Sequence, residues 1–337
     1  MRARKAKKRE SRLSWLLYIL LVALIAVYAV YGNVVVGAVT FFLIIIILVY
    51  EVKASVSTEG AKKSAIDIAV AVGAAIIFWI ILTVVLQTSA PIDAVSSCSM
   101  LPTLHRGDLV VLHGIGNPAT FATENHVPVV NLTRTAFQKM EANMNSEFLA
   151  YFAYSPTNGS QISYVINPKS EYNVSLYNTV CVSQRQYLGR QSTVYQCAVP
   201  EQAQLSNLIR YAYSIGNLTY GALHYNAIYT SQIMVGNTTI SENYSNPIIV
   251  YQTNSRDSFS GDIIHRVYAM LNVSGQYYFL TKGDNNQALD IEFGNYPANQ
   301  SAVVGYVIAD IPVAGYVKLL LSGQIATPAG CNMTLSA

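Results

Sequence analysis

No CxxC pair, no glycine-rich phosphate loop and no cluster of metal-ligating side chains occurs in the 337-residue sequence. Those absences argue against a structural zinc site and a nucleotide-binding loop, and neither a metal nor another cofactor is expected. Charge is also scarce, at 12% of residues against 52% hydrophobic, with a net charge of only +3. Seven basic residues (Arg2, Arg4, Lys5, Lys7, Lys8, Arg9 and Arg12) fall in the first dozen positions. That excess is a topological signal beside an apolar run, not a patch for nucleic acid. Cysteine is limited to Cys98, Cys181, Cys197 and Cys331. Cys181 and Cys197 are near enough in sequence to pair in an oxidising compartment, or to stay as free buried thiols.

What the sequence does have is apolar length, concentrated before residue 90. Leu13–Tyr31 carries no charge over 19 residues, Gly32-Asn33 interrupts it, Val34–Tyr50 adds 17 more, and Ala65–Gln87 contains only Asp67. Each run is about long enough to span a hydrocarbon core of roughly 30 Å as a helix. A cleaved leader fits the first run poorly, because the stretch is too long and no small-x-small site follows it. Lys and Arg concentrate on the cytoplasmic side of membrane proteins. The basic tail 1–12 is therefore placed inside, the Gly32-Asn33 turn outside, and Glu51–Ser64, with Lys53, Lys62 and Lys63, inside again. Three crossings within 13–88 deliver everything beyond Gln87 to the extracytoplasmic side of a multi-pass cell-membrane protein.

Beyond residue 90 the composition turns polar and rich in Tyr, Asn, Ser and Thr. Nine N-x-S/T sequons occur, at Asn131, Asn158, Asn173, Asn217, Asn237, Asn243, Asn272, Asn299 and Asn332, and none precedes them, which favours an exported domain. Asp108–His113, Ile248–Gln252, Ile263–Met270, Tyr277–Thr281 and Ala302–Ile308 read as strands bounded by turn residues. Glu141–Phe152 and Gln202–Tyr213 have fewer breakers and read as helical. Ala302–Ser322 is divided by Asp310, Pro312, Gly315 and Lys318 into pieces too short to cross a membrane, so strand segments are expected there.

Three segments carry the chemistry: Ser97-Cys98-Ser99-Met100-Leu101-Pro102-Thr103, Gly261-Asp262-Ile263-Ile264-His265-Arg266, and Thr281-Lys282-Gly283-Asp284-Asn285-Asn286 with Asp290 beyond. They offer a serine nucleophile, a histidine base and an aspartate to orient it. A serine hydroxyl is a weak nucleophile until a neighbouring base takes its proton, and imidazole titrates near working pH. A carboxylate holds the imidazole in the useful tautomer. The backbone N–H of Ser99 and the hydroxyl of Ser97 are candidate oxyanion donors. Such residues occur in almost any sequence; their grouping into boxes is what gives them weight.

In content and order these boxes resemble the type I signal peptidases, specifically their archaeal and endoplasmic-reticulum branch. The family's serine box, approximately S-x-S-M-x-P-T/A, is matched by Ser97, Ser99, Met100, Pro102 and Thr103. Ser99 stands at the nucleophile. His265-Arg266 stands where the bacterial branch has a lysine base and this branch a histidine. The third box, K-G-D-N-N followed by an acidic residue, is matched by Lys282–Asn286 and Asp290. The resemblance implies Asp290 as the orienting aspartate and Asp284 as its support, with the two open to exchange. It covers about Ile92–Leu112 and Ile248–Leu321. Cys98 departs from it by standing where glycine is usual, and the 166 positions between Ser99 and His265 imply an insertion.

The fold class implied is membrane-anchored and mainly β: N-terminal transmembrane helices, then a signal-peptidase-like β domain with an inserted α+β region. The boundaries are 89–113 and 248–322 for the catalytic β domain, 114–247 for the insertion and 323–337 for a C-terminal tail. The implied activity is a serine endopeptidase that removes signal peptides from exported preproteins. Membrane lipid and the protein-export machinery are its expected partners, and nucleic acid is not. Ser99 lies 12 residues beyond Gln87, where a cleavage site would emerge from the bilayer. Met100, Leu109, Val110 and Val111 are candidates to line shallow pockets for small side chains. Lys282 is read as a surface charge, and His105, His113, His126 and His224 as structural or exposed. The alternatives are a specialised peptidase of the same family, and an inactive surface glycoprotein whose insertion binds a partner.

Overall fold

The computed structural model describes residues 2–31, 34–145, 150–151, 154–156, 163–166, 182–187, 190–196, 202–204, 208–257, 261–324, 326–328 and 331–336. Its helices are α1 (Arg2–Tyr31), α2 (Val34–Glu59), α3 (Ala61–Val85), α4 (Pro118–Glu124), α5 (Arg134–Asn145) and α6 (Tyr316–Leu321). Its strands are β1 (Ile92–Ala94), β2 (Leu109–His113), β3 (Val129–Leu132), β4 (Ala150–Tyr151), β5 (Tyr154–Pro156), β6 (Ser163–Ile166), β7 (Val182–Tyr187), β8 (Arg190–Gln196), β9 (Gln202–Gln204), β10 (Ile209–Tyr220), β11 (Leu223–Val235), β12 (Thr238–Ser241), β13 (Ile248–Gln252), β14 (Asp262–Val273), β15 (Gln276–Lys282), β16 (Ala298–Asn299), β17 (Val303–Ile311) and β18 (Met333–Ser336). Two compact units result: Met1–Ser97 with His105–Val111 and Ala309–Ala329, and Cys98–Leu104 with Leu112–Ile308 and Gly330–Ala337.

The first unit begins with the apolar helices. Among the described residues, two stretches are long and apolar enough to cross a membrane, Val35–Ser57 and Ala61–Val85, and a shorter apolar stretch, Trp15–Tyr28, lies in α1. The apolar side chains of α3 are largely bare, with Ile77 61%, Trp79 45% and Val84 70% exposed, so the helix presents an apolar surface on every side. The basic tail is helical from Arg2 onward, and Glu51–Ser64 is helical on both sides of Gly60. Nothing in either stretch except that glycine breaks a helix, so the helices run past the apolar limits. The Gly32-Asn33 turn lies outside the described residues.

In the same unit β1 pairs antiparallel with β2, Asp93 opposite Val110. Tyr28, Ala94, Tyr316, Leu319 and Leu320 form a small core. Residues 316–321, expected as strand, are helix α6: Tyr316, Leu319 and Leu320 recur at helical spacing and are buried. The buried Arg106 donates to the carbonyls of Ser96 (3.2 Å), Gln324 (2.6 Å) and Ala326 (3.2 Å).

The second unit is built on antiparallel sheets. One has the order β17-β13-β14-β15-β16, with β3 added parallel to β14. β13 covers the first half of one edge of β14 and β3 the second half, so part of the 114–247 block is hydrogen-bonded into this sheet. The run His265–Leu271 of β14 is buried without a break, which requires cover on both faces. Tyr268, Ala269, Leu271 and Val273 enter one core with Ile209, Tyr211, Ile233 and Phe137. Val267 and Met270 enter another with Phe121, Ile249, Tyr251 and Phe279. This sharing follows from a bulge: Val267 faces Thr281 and Ala269 faces Leu280, which leaves Tyr268 as the extra residue. Tyr268 and Ala269 therefore share a face and the alternation shifts by one. The β14–β15 hairpin closes at Ser274 (φ 54°) and Gly275 (φ 88°), both left-handed as a tight primed turn demands.

A second sheet has the order β12-β11-β10-β18, with β5 on β11 and β9 on β10. Here the segment Gln202–Tyr213, expected as helical, holds strand β9 and the start of strand β10 among its described residues. Ile209 and Tyr211 are each 1% exposed while Arg210 and Ala212, which alternate with them, are half-buried, a period of two that pairing with β11 rewards. Burying two such side chains contributes about 1.5–3 kcal/mol apiece, more than any helical propensity the segment loses. Strands β4, β6, β8 and β7 form a smaller sheet. Glu141–Phe152 divides: helix α5 runs only to Asn145, and Ala150–Tyr151 is strand. Phe137 and Met140, one turn apart, anchor α5 to the core. The block between residues 114 and 247 thus contains both helices and strands. The expected C-terminal tail ends in β18, whose Leu335 is buried with Leu218 of β10.

Candidate active site

Ser99 lies in the turn Cys98–Leu104, which is closed by the Leu104 N–H on the Met100 carbonyl at 2.9 Å and includes a cis Leu101–Pro102 bond. The backbone N–H of Asn285 donates to the Ser99 carbonyl at 2.8 Å. Gly283 passes the same carbonyl so closely that an added Cβ would stand 2.6 Å from its oxygen. The third box therefore holds the serine turn through main-chain atoms, a reason for glycine at that position that spacing alone does not give.

His265 sits on β14 opposite Ile249 of β13, on the face that also carries Tyr251 and Thr281. Arg266, its neighbour, points to the other face. The His265 ring is nearly enclosed, its residue 7% exposed. Its Nδ1 lies 2.8 Å from Oδ1 and 2.7 Å from Oδ2 of Asp290, and its Nε2 lies 2.9 Å from the Ser99 Oγ. An ionised carboxylate only accepts, so the Nδ1 carries the hydrogen and Nε2 is left to accept from the serine hydroxyl.

Asp290 opens the short helical turn Asp290–Phe293 and is 3% exposed. Tyr251 donates to its Oδ2 at 2.9 Å and Thr281 at 2.6 Å. A carboxylate withdrawn from water is costly unless its lone pairs are used, and here three side chains use them. Burial first, and then the Asp290 charge, push the Tyr251 hydroxyl well above its ordinary pKa, so it remains a donor.

Asp284 serves a different partner. Arg266 grips it with Nε on Oδ1 at 2.8 Å and Nη2 on Oδ2 at 2.7 Å, and Thr103 donates to Oδ2 at 2.5 Å. Arg266 also donates to the Asn246 carbonyl at 2.6 Å. Of the two aspartates left open to exchange, Asp290 touches His265 and Asp284 touches Arg266.

Lys282 is not a surface charge. It is 2% exposed and bonded to Glu242 at 2.6 Å, because its place on β15 turns it inward beside Arg266 of β14. Ser97 is exposed and Met100 buried. Leu109 and Val111 share one face of β2 and are half-buried, whereas Val110 faces the other way and is fully enclosed. His105, His126 and His224 are exposed and His113 is half-buried. Cys181 and Cys197 lie outside the described residues. The disulfide that is described joins Cys98 to Cys331, a pairing across 233 positions that sequence proximity concealed. Tyr251 and Thr281 were also missed; Thr281 adjoins the third box, but nothing in the sequence marks Tyr251.

A hydroxyl, an imidazole and a carboxylate in hydrogen-bonded series make up the constellation that serine hydrolases of several unrelated folds share. The chain is similar over 86 residues, at 37% identity, to the signal peptidase complex catalytic subunit SEC11 of Chaetomium globosum, covering 25% of this chain and 48% of that protein. The counterpart from Colletotrichum graminicola is 36% identical over 88 residues, with the same coverage of 25% and 48%. That from Verticillium alfalfae is 36% identical over 78 residues, 22% of this chain and 44% of that one. The chain thus spans about half the length of the curated relatives it matches. These relatives are fungal and give no support to the archaeal expectation. No family model and no solved structure matches the chain.

Proposed function

We propose that this protein is a membrane-bound serine endopeptidase that removes signal peptides from exported preproteins at the outer membrane face. The observation that carries the reading is the unbroken series from the Ser99 Oγ through His265 to Asp290. The partial likeness to proteins named as signal peptidase catalytic subunits supports the choice of substrate.

In this reading the Ser99 Oγ attacks the scissile carbonyl as its proton passes to the His265 Nε2. The C–O bond forms, and the carbonyl oxygen becomes an oxyanion facing the Ser99 backbone N–H. The Ser97 hydroxyl is the second proposed donor, on grounds of sequence. Collapse of the intermediate breaks the C–N bond. His265 returns its proton to the leaving amine, and an acyl ester remains on Ser99. Water then attacks the ester with His265 again taking the proton, which frees the acid and restores the serine. Asp290 stabilises the imidazolium at each stage without itself being protonated. Met100, Leu109, Val110 and Val111 remain the proposed lining for small residues before the cut, with Leu109 and Val111 alone sharing a face.

The orientation proposed is three crossings with the basic end inside, supported by two helices long and apolar enough to span and by the distribution of Lys and Arg. The Cys98–Cys331 disulfide adds support, since such bonds persist in oxidising compartments. Membrane lipid, and other subunits as in the complexes named for the relatives, are the partners this implies. The test is incubation of detergent-solubilised protein with a preprotein, beside Ser99→Ala and His265→Ala. Cleavage by the wild type alone supports the reading. No cleavage by the wild type, or equal cleavage by either variant, sinks it.

A further inference from the structure

We infer that the C-terminal strand β18 is a positioning element for the Ser99 turn, clamped to it by the Cys98–Cys331 disulfide and the Asn285 side chain. The inference rests on Ser99 being the nucleophile, as proposed above. Cys98 immediately precedes Ser99, and its sulfur is bonded to Cys331, two residues before β18. Asn285 completes the clamp. Its Nδ2 donates to the Cys98 carbonyl at 3.0 Å and the Met333 carbonyl at 2.8 Å, and its Oδ1 accepts the Leu335 N–H at 2.7 Å. The backbone N–H of the same residue holds the Ser99 carbonyl at 2.8 Å.

One asparagine therefore ties both carbonyls that bracket the serine to the far end of the chain. That end is itself fixed. Leu218 to Tyr220 of β10 pair with Leu335 to Met333 of β18, and Leu335 is 5% exposed. The turn before the serine is thus held from outside the sheet that carries His265. The role of the bond is to restrict where the Ser99 Oγ can stand relative to an imidazole 2.9 Å away. At that range a displacement on the order of 1 Å is enough to cost up to about a hundredfold in rate. Reduction by a dithiol would break the S–S bond, leave thiols on Cys98 and Cys331 and convert the reagent to its cyclic disulfide. Two of the three tethers, those through Asn285, would then remain.

The experiment uses the full-length protein in detergent, in a Cys181→Ser/Cys197→Ser background that serves as reference and leaves a single disulfide. Cys331→Ser, Asn285→Ala and their combination are assayed on a preprotein at a temperature where circular dichroism shows each of them folded. Each single variant should lower kcat roughly tenfold with KM within twofold, and the double should lose more than the product, because in each single variant the other tether still holds the strand. Dithiothreitol should impose the Cys331→Ser loss on the reference, reversibly on reoxidation, and leave Cys331→Ser itself unaffected. Undiminished kcat, a loss confined to KM, or a loss that follows only the folded fraction would overturn the clamp. Amide exchange at the peptide covering Cys98–Leu104 reads the clamp without a substrate. It should quicken on reduction while β13 and β14 stay protected, and unchanged exchange overturns the inference. If the reference cleaves nothing, the proposed function fails, whereas the exchange result still decides whether β18 holds the turn.

Discussion

Exchanging each aspartate for asparagine separates the two roles that the geometry gives them. In Asp290→Asn one acceptor oxygen becomes an NH2 group that cannot receive the His265 Nδ1 hydrogen. The side chain that took hydrogen bonds from His265, Tyr251 and Thr281 then has one oxygen for all of them. The ring relieves the conflict by moving its hydrogen to Nε2, which removes the acceptor from the Ser99 hydroxyl 2.9 Å away. The shape hardly changes, so the fold should survive, but kcat should fall by about ten thousandfold, as for the wrong tautomer in other triads. Asp284→Asn leaves His265 alone. It strips the counter-charge from Arg266, whose side chain is only 10% exposed, and an orphaned buried charge costs about 3–5 kcal/mol. At about 2–4 °C per kcal/mol for a unit of this size, the melting temperature should fall by roughly 6–20 °C. The assay is cleavage of a preprotein per folded molecule, with melting followed in parallel. The reasoning fails if Asp284→Asn abolishes kcat in folded protein, or if Asp290→Asn retains more than about a tenth of it.

Gly283→Ala should lower kcat by tenfold or more, because the new Cβ would meet the Ser99 carbonyl oxygen at 2.6 Å and the Asn286 Nδ2 at 2.8 Å; activity equal to wild type would mean the turn has room to move. Alkaline pH should destabilise the fold through its buried tyrosines. Burial and then a neighbouring carboxylate, Asp290 for Tyr251 and Glu242 for Tyr268, push both hydroxyls above the ordinary 10.0, and both rings are buried. Groups raised on folding contribute fully below their unfolded value, so melting should be flat up to about pH 10 and fall beyond it, by at most about 1.4 kcal/mol per pH unit per tyrosine. Tyr268→Phe should make that fall shallower, and an unchanged slope would exclude it as a contributor. For the orientation, an impermeant protease acting on intact cells should cut a site inserted at the exposed Gly236-Asn237 turn and spare one inserted before Leu13. The opposite pattern would reverse the topology.

What the sequence disclosed and what it hid divide along a physical line. That Ser99, His265 and Asp290 come together was legible because short boxes with fixed internal spacing surround them. The strands at 248–252 and 277–281 were legible because apolar and β-branched residues fall between turn formers. Residues 209–213 misled because their alternation is short and their strand is decided by β11, a partner that local propensity does not see. Lys282 misled for a related reason: a lysine is read as exposed unless its counter-ion is known, and Glu242 lies 40 positions away. The same distance blindness explains Cys98. At a position where the resembled family carries glycine, it reads as a departure from the serine box. Its bond to Cys331, 233 residues on, makes it an added tether. A departure from a motif beside a reacting serine is thus better tested first for a distant partner than discounted as a flaw, since the turn it alters is the one whose position the chemistry depends on.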